Sequence, residues 1–364
     1  MTDVNLPPRA AKPSPEEIRH ARKENPKMRE RDLATQLGIS EGELVAADCG
    51  FTAKRLDLDF DAMFSRMGEL GEVMALTRNE HAVHEKIGVY DNFHTGKHAA
   101  MFLGDQIDLR LFPVHWKHAF AVEKDDGESV RRSLQFFDGA GEAMHKIHAR
   151  ASTDLAAWQG FVDAFVSDDQ VPGLAPEAAL AGESDGNGAP ETIPVDELRS
   201  RWSGMTDTHQ FVPLIRKLKL TRHMAVRSVG EDYAWQLDDN GSGGSVGEML
   251  HRAAEEQLPL MCFVGSRGCI QIHSGPIETI RPMGPWLNIM DPTFHLHLRT
   301  DRIAESWAVR KPTDKGHVTS YEAYDADGEL IIQFFGKRIE GQDEREPWRA
   351  IMESLPRLSQ SRAA

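Results

Sequence analysis

The sequence predicts an α+β protein that is internally duplicated, with two similar halves and a ligand crevice between them. Three observations predict it. First, the chain repeats itself at a nearly constant offset of 187 residues: Met74 pairs with Met261, Val83 with Ile270 and Gly88 with Gly275. At the same offset Phe120-Ala121-Val122-Glu123-Lys124 pairs with Trp307-Ala308-Val309-Arg310-Lys311, and residues 137–142 pair with 324–329. A repeat this long, without a short period, is not a solenoid or propeller array. It predicts two half-molecules, and the interface between repeats is a common place for a ligand pocket. Second, short runs alternate with the period of a half-buried strand. Third, other stretches carry apolar residues at helical spacing.

Composition narrows the class. The 364 residues suffice for two domains or one large duplicated one. A chain that is 40% hydrophobic and 27% charged is ordinary for a globular protein. No apolar run approaches the roughly 20 residues of a membrane span. The N-terminal residues 1–17 contain no hydrophobic signal core, so a cytoplasmic location is expected. Three cysteines, Cys49, Cys262 and Cys269, are too few for a disulfide framework and fit a reducing compartment. A net charge of −15 argues against a nucleic-acid surface.

Taken in order, residues 1–15 are Pro-rich and expected to be disordered. The first repeat is placed at 16–167. It opens with a stretch over 29–47 whose rhythm resembles a helix-turn-helix. There, the residues that would read a DNA groove, Glu41 and Glu43, are acidic, so the motif is expected to serve packing. A helix is expected over 60–71. In Ile107-Asp108-Leu109-Arg110-Leu111-Phe112, period two turns Ile107, Leu109 and Leu111 to a core and leaves Asp108, Arg110 and Phe112 on the other face. Trp158, Phe161 and Phe165 then stripe one side of a helix. Residues 168–194, rich in Gly, Pro, Ala and acid, read as the linker. The second repeat is placed at 195–355 and the tail at 356–364. Strands are expected at MCFV, CIQIHSG, FHLHLRT, ESWAVRK and VTSYEAYDADGELIIQFF, the last a hairpin turning over Asp325 to Gly328. The glycine-rich run at 241–245 lacks the Lys-Ser/Thr of a phosphate loop and is expected to be a flexible loop.

Histidine is abundant, at 16 residues. His81/His84, His115/His118 and His145/His148 have a spacing that would put two imidazoles on one helical face, but no third ligand accompanies them. His295 and His297 share one face of a strand. The most distinctive position is His209 in Thr206-Asp207-Thr208-His209-Gln210-Phe211. Asp207 with Gln210 has capping-box spacing, and Phe211, Leu214, Ile215 and Leu218 form the buried stripe of the helix that follows. Pro213 is expected to distort that helix near its start. His209 lies roughly 160° from Phe211, away from the core. In the first turn the helix dipole favours the neutral ring, the form that binds a metal. By spacing alone the plainer reading, a solvent-exposed histidine, is favoured. The first repeat offers Met28 where the second has His209.

With those residues in view, the chain resembles the bacterial haemin-uptake and haemin-degrading factor family of the HemS/HmuS/ChuS type. The resemblance runs from about Glu16 to Met352 and is strongest at GMTDTHQF (204–211), CIQIHSGP (269–276), MGPWLNIMDPTFHLHLR (283–299) and FFGKRIEGQ (334–342). It implies two similar halves of large antiparallel β-sheet flanked by helices, with one haem b in the cleft. Position by position, His209 matches the family's axial haem ligand, and Arg110 and Phe112 match the opposite wall. Phe263 resembles a hydrophobic wall residue. Arg222 and Lys311 look like the cations that meet the propionates or haem edge. Gln333, Phe335 and Arg338 match the last strand, on the distal side. Phe335 stands where relatives often carry tyrosine, which removes one distal hydroxyl. Arg338 does not share the face of Gln333 and Phe335 by strict alternation, and a bulge at Gly336 is the expected remedy.

Two functions are implied. In the first, the protein is a haem-degrading oxidoreductase that breaks down haem beside Arg110 and releases iron. In the second, it is a carrier that takes haem from an inner-membrane importer and hands it to a separate haem oxygenase. A reductase is a further implied partner of the first. A DNA-binding regulator survives only through the helix-turn-helix-like stretch.

Overall fold

Period-two runs dominate both copies, and they assemble into two nine-stranded antiparallel sheets. The structure, a computed structural model, describes residues 12–96, 98–125, 127–178, 190, 192–240, 243–338 and 343–358. Parts of the expected disordered start, linker, glycine-rich loop and tail, and the end of the 334–342 motif, lie outside the described residues.

The first copy contributes α1 (Pro15–Glu24), α2 (Glu30–Leu37), α3 (Glu41–Ala46), β1 (Ala53–Leu56), α4 (Phe60–Ser65), β2 (Val73–Arg78), β3 (Ala82–Gly88), β4 (Phe93–His94), β5 (Ala100–Leu103), β6 (Asp108–Leu111), β7 (His118–Asp125), β8 (Val130–Phe137), β9 (Ala143–Ala149) and α5 (Leu155–Phe165). The second contributes α6 (Val195–Ser203), α7 (Phe211–Lys217), α8 (Arg222–Val229), β10 (Ala234–Gln236), α9 (Gly244–Glu255), β11 (Leu260–Gly265), β12 (Cys269–Gly275), β13 (Ile280–Met283), β14 (Trp286–Met290), β15 (Phe294–Arg299), β16 (Glu305–Thr313), β17 (Gly316–Tyr324), β18 (Leu330–Gly336) and α10 (Glu346–Ser354).

Each sheet is built from both copies. The first runs β1-β7-β8-β9-β2-β3 and continues into β15-β14-β13 of the second copy. The second runs β10-β16-β17-β18-β11-β12 and continues into β6-β5-β4 of the first. The junctions are in matching register: His295 pairs with Glu85, and Asp108 with Ile272, at the same offset of 187. Each copy therefore lends a three-stranded ribbon to the other. At the centre of this exchange a residue meets its own duplicate: Lys86 Nζ lies 3.1 Å from His273 Nδ1.

Local chemistry explains the helices. Ser14 and Ser40 form complete capping boxes, and Asp59, Asp154 and Thr221 cap α4, α5 and α8 with side-chain oxygens. The helix-turn-helix-like stretch is α2 and α3, separated at Gly38, whose φ is +66°. Glu41 and Glu43 are buried, and Glu41 is held by Arg78 and Lys146. The motif packs inward, with the buried Glu41 neutralised by these two cations. The helix expected over 60–71 is shorter: α4 stops at Ser65 and a 3-10 turn, Met67–Leu70, follows. One of the histidine pairs, His145 and His148, falls on a strand, β9, while His84 lies on β3 with His81 just before it. Residues three apart on a strand point to opposite sides. Among the described residues no group of three His, Cys, Asp or Glu side chains is arranged to hold a metal ion.

The start of the stretch expected to be a linker is docked on the first copy. The Gln170 side chain bonds both backbone groups of Arg55, Gly173 N–H donates to Ala46 O, and Glu177 N–H donates to Gly139 O. No described helix is long and apolar enough to cross a membrane.

Candidate functional site

In an antiparallel sheet, residues directly opposite each other put their side chains on the same face. That rule traces one continuous surface across the second sheet. Val309 on β16 faces Ser320 on β17, and Lys311 is two residues further along the same side. Ser320 faces Phe335, and Glu322 faces Gln333 on β18. Gln333 faces Phe263 on β11, which faces Ile272 on β12. Ile270 and Ile272 then face Arg110 and Asp108 on β6, the strand lent by the first copy. Alternation had put Ile107, Leu109 and Leu111 in the core, and all three are fully buried. Arg110 and Asp108 consequently stand on the open side.

Helices α6, α7 and α8 cover one end of this surface. Leu198, Trp202, Phe211, Leu214 and Ile215 pack with Trp307, Val309 and Tyr324. The middle is left half-exposed, where the Phe263 and Phe335 rings meet at 5.0 Å and 64°. The result is an apolar, aromatic floor between a helical wall and the borrowed strand.

His209 sits at the edge of that wall, on a 3-10 turn (Thr208–Gln210) that precedes α7. Asp207 is the cap, as its spacing indicated, but Gln210 turns its side chain to Thr206 instead of Asp207. A hydrogen bond from Asp314 N–H to Thr206 O ties the turn to the β16–β17 hairpin. The Asp207 carboxylate also lies 2.7 Å from His209 Nδ1. A carboxylate only accepts, so in the neutral ring Nδ1 carries the proton and Nε2 keeps its lone pair for a ligand. The hydrogen bonds from His209 hold the Asp207 carboxyl below its ordinary range, and the positive charge of Arg338 adds to this. The His209 side chain is 92% exposed.

Arg338 follows the end of β18, so strand alternation does not govern where it points. No bulge at Gly336 is involved. Gly336 has another reason: a Cβ there would stand 2.6 Å from Cγ of Trp348 on α10.

Lys311 and Arg222 are drawn inward. Lys311, expected at a ligand's carboxylates, is buried with Nζ 2.7 Å from Glu322. Arg222 Nη1 lies 3.4 Å from the same carboxylate, with 24% of the side chain exposed. Both cations stand over the Phe211 ring, at 4.8 Å for Arg222 and 4.9 Å for Lys311. Glu322 also accepts from Ser320 Oγ at 2.9 Å, Tyr324 Oη at 2.5 Å and Gln333 Nε2 at 2.8 Å. Burial alone would raise this carboxyl, but the cations and hydroxyls around it push it far below the usual range. Sequence reasoning missed Glu322, which looks like any polar residue in a strand.

At the far side Arg110 is clamped by Asp108. Burial raises the Asp108 carboxyl in spite of that cation. Phe112 lies just past β6, half-buried, with its N–H donating to Gly268 O. The surface therefore gathers Arg110, Phe263, Gln333 and Phe335 on one plane, with Arg222 and Lys311 under the helical wall. His209 and Arg338 stand together at its border.

The family described as "Haemin-degrading HemS.ChuX domain" matches residues 38–165 and 219–355, one match in each copy. The hemin transport protein HmuS of Yersinia pestis is 42% identical over 339 residues, covering 93% of this chain and 95% of that protein. Among solved structures, holo-PhuS, a heme-binding protein from Pseudomonas aeruginosa, superposes with a TM-score of 0.90 at 40% identity, covering 95% of this chain and 100% of that one. The Escherichia coli O157:H7 heme degrading enzyme ChuS gives a TM-score of 0.83 at 36% identity, covering 93% and 97%.

Proposed function

Since this chain belongs to the haemin-degrading HemS.ChuX domain family, we propose that it binds one haem on the open face of its second sheet, with His209 as the iron ligand. The observation that carries the reading is the surface itself. Strands of both copies bring Arg110, Phe263, Gln333 and Phe335 onto one half-exposed plane beside the His209 turn. Haem is a flat apolar disc with two carboxylates, so it needs apolar walls, an axial ligand and cations at its rim. Phe263 and Phe335 supply the apolar floor, Arg338 is a cation beside the histidine turn, and Arg222 is a second, partly exposed one. Lys311 lies below, its charge neutralised by Glu322, and the cluster keeps one net positive charge through Arg222. Asp207 orients the imidazole. Haem b is the form a protein with non-covalent contacts of this kind would take up.

Haem breakdown is the activity this arrangement serves best. Arg110 opposite the histidine offers donors where charge would build on an oxidant, and it is held there by Asp108. A reductase would supply the electrons. One observation favours the second role, delivery from an inner-membrane importer to a separate haem oxygenase: the His209 ring is almost wholly accessible, which suits exchange. Both roles place the protein in the cytoplasm.

Titration of the purified protein with ferric haem tests the reading. His209→Ala is expected to weaken binding at least about tenfold, roughly the loss of one good ligand interaction, and to move the Soret band. An unchanged band and affinity would refute the ligand role.

A further inference from the structure

The two copies part company at two matched positions on their central strands, Gln135/Glu322 and Lys146/Gln333. Ser133, Gln135 and Lys146 in the first sheet occupy the register positions of Ser320, Glu322 and Gln333 in the second, 187 residues later. In the first copy the strand supplies the cation: Lys146 closes on Glu41 and Glu30 from the helices, and the face is sealed by an ion pair. In the second copy the strand supplies the acid, and Glu322 receives donors from every side.

This reversal has a consequence for Gln333. Glu322 is an ionised carboxylate and can only accept, so it selects the amide nitrogen of Gln333, at 2.8 Å. The amide cannot flip without opposing carbonyl to carboxylate. Its carbonyl oxygen is therefore the group offered to the half-exposed surface shared with Phe263 and Phe335. Three strands away on the same face stands Arg110, which has only donors. We propose that Glu322 is a positioning residue that locks Gln333 as a hydrogen-bond acceptor toward the water on the haem iron, so that the cleft offers that water one acceptor and one donor. The inference rests on the haem reading above and deepens it.

An acceptor stabilises iron-bound water over hydroxide, because water is the better donor. The ferric haem complex should therefore hold its water to higher pH than it would without Gln333. The measurement is the visible spectrum of the ferric complex against pH. Gln333→Met is expected to lower the water-to-hydroxide transition by about one pH unit, equivalent to one hydrogen bond. Removing Glu322 alone would orphan buried Lys311, so the positioning arm uses the paired apolar replacement Lys311→Met with Glu322→Leu, which leaves no lone buried charge. In that background Gln333→Met is expected to shift the transition by less than about a third as much, since a residue acting through another gives non-additive effects. Equal shifts in both backgrounds, or none in either, would overturn the proposal, as would a wild-type complex with no such transition. The haem reading fails separately, by absence of binding or by indifference to His209→Ala.

Discussion

Arg110 shows how one side chain is aimed by its neighbours in sequence and by a strand more than 150 residues away. Period two sets its face, Asp108 two residues back holds its guanidinium, and pairing with Ile270 brings it to the second sheet. Under the proposed breakdown role, Arg110→Ala is expected to leave haem bound while slowing the reaction by about 10²-fold, the scale of losing one stabilising donor. Single-turnover absorbance with a reductant checks it, and unchanged turnover would make Arg110 a wall residue only. Its position was legible because alternation is a local property. The inward turn of Lys311 was not, because it depends on Glu322, which is close in space but eleven residues on, across the β16–β17 hairpin. The stripe Phe211, Leu214, Ile215, Leu218 was also legible, and all four are buried. The 3-10 start of the His209 turn, by contrast, depends on Gln210 reaching back to Thr206.

Among the elements, α10 is the one whose seat a single glycine controls. Trp348 lies fully buried with its indole N–H donating to Thr319 O at 2.9 Å, and its ring covers the backbone of β18 at Gly336. Gly336→Ala is expected to cost about 1–3 kcal/mol by overpacking, seen as a lowered Tm with the residues proposed to meet haem untouched. No loss of Tm would mean that α10 shifts freely. Strand and helix identities were readable from periodicity: the β17–β18 hairpin turns over Asp325 to Gly328, and α5 carries the Trp158–Phe161 stripe. The break in the 60–71 helix was harder to see, since an apolar pattern does not mark where α-helix gives way to a 3-10 turn.

At the scale of the whole molecule, the seam between the sheets makes stability depend on pH. Burial drives His145 and His273 down to about 3 from an ordinary value near 6.5. The folded protein refuses protons that the unfolded chain accepts. Stability from these two groups is therefore complete above about pH 6.5 and is lost as pH falls toward 3, by on the order of 2 kcal/mol each at pH 5. Urea denaturation at pH 7.5 and pH 5 should show the lower midpoint at pH 5; equal midpoints would contradict this. Duplication itself was visible in the sequence as a constant offset. The exchange of ribbons was not, because a repeat predicts likeness and says nothing about which copy a strand pairs with. The exchange makes a further prediction. Either copy expressed alone, 12–178 or 192–358, should form a homodimer in which two identical chains trade β4–β6 or β13–β15. Light scattering would detect it, and a stable monomer would show that the ribbon folds back on its own sheet.

The exchanged ribbons also set a timetable for synthesis. β3 emerges from the ribosome early, with one edge waiting for β15, and β6 waits for β12. Until the C-terminal copy has been translated, two open strand edges and the apolar faces beside them stay uncovered, the condition in which nascent chains aggregate. The N-terminal copy cannot be finished first, so yield in the cell should depend more on holdase chaperones and translation speed than the stability of the completed protein would suggest.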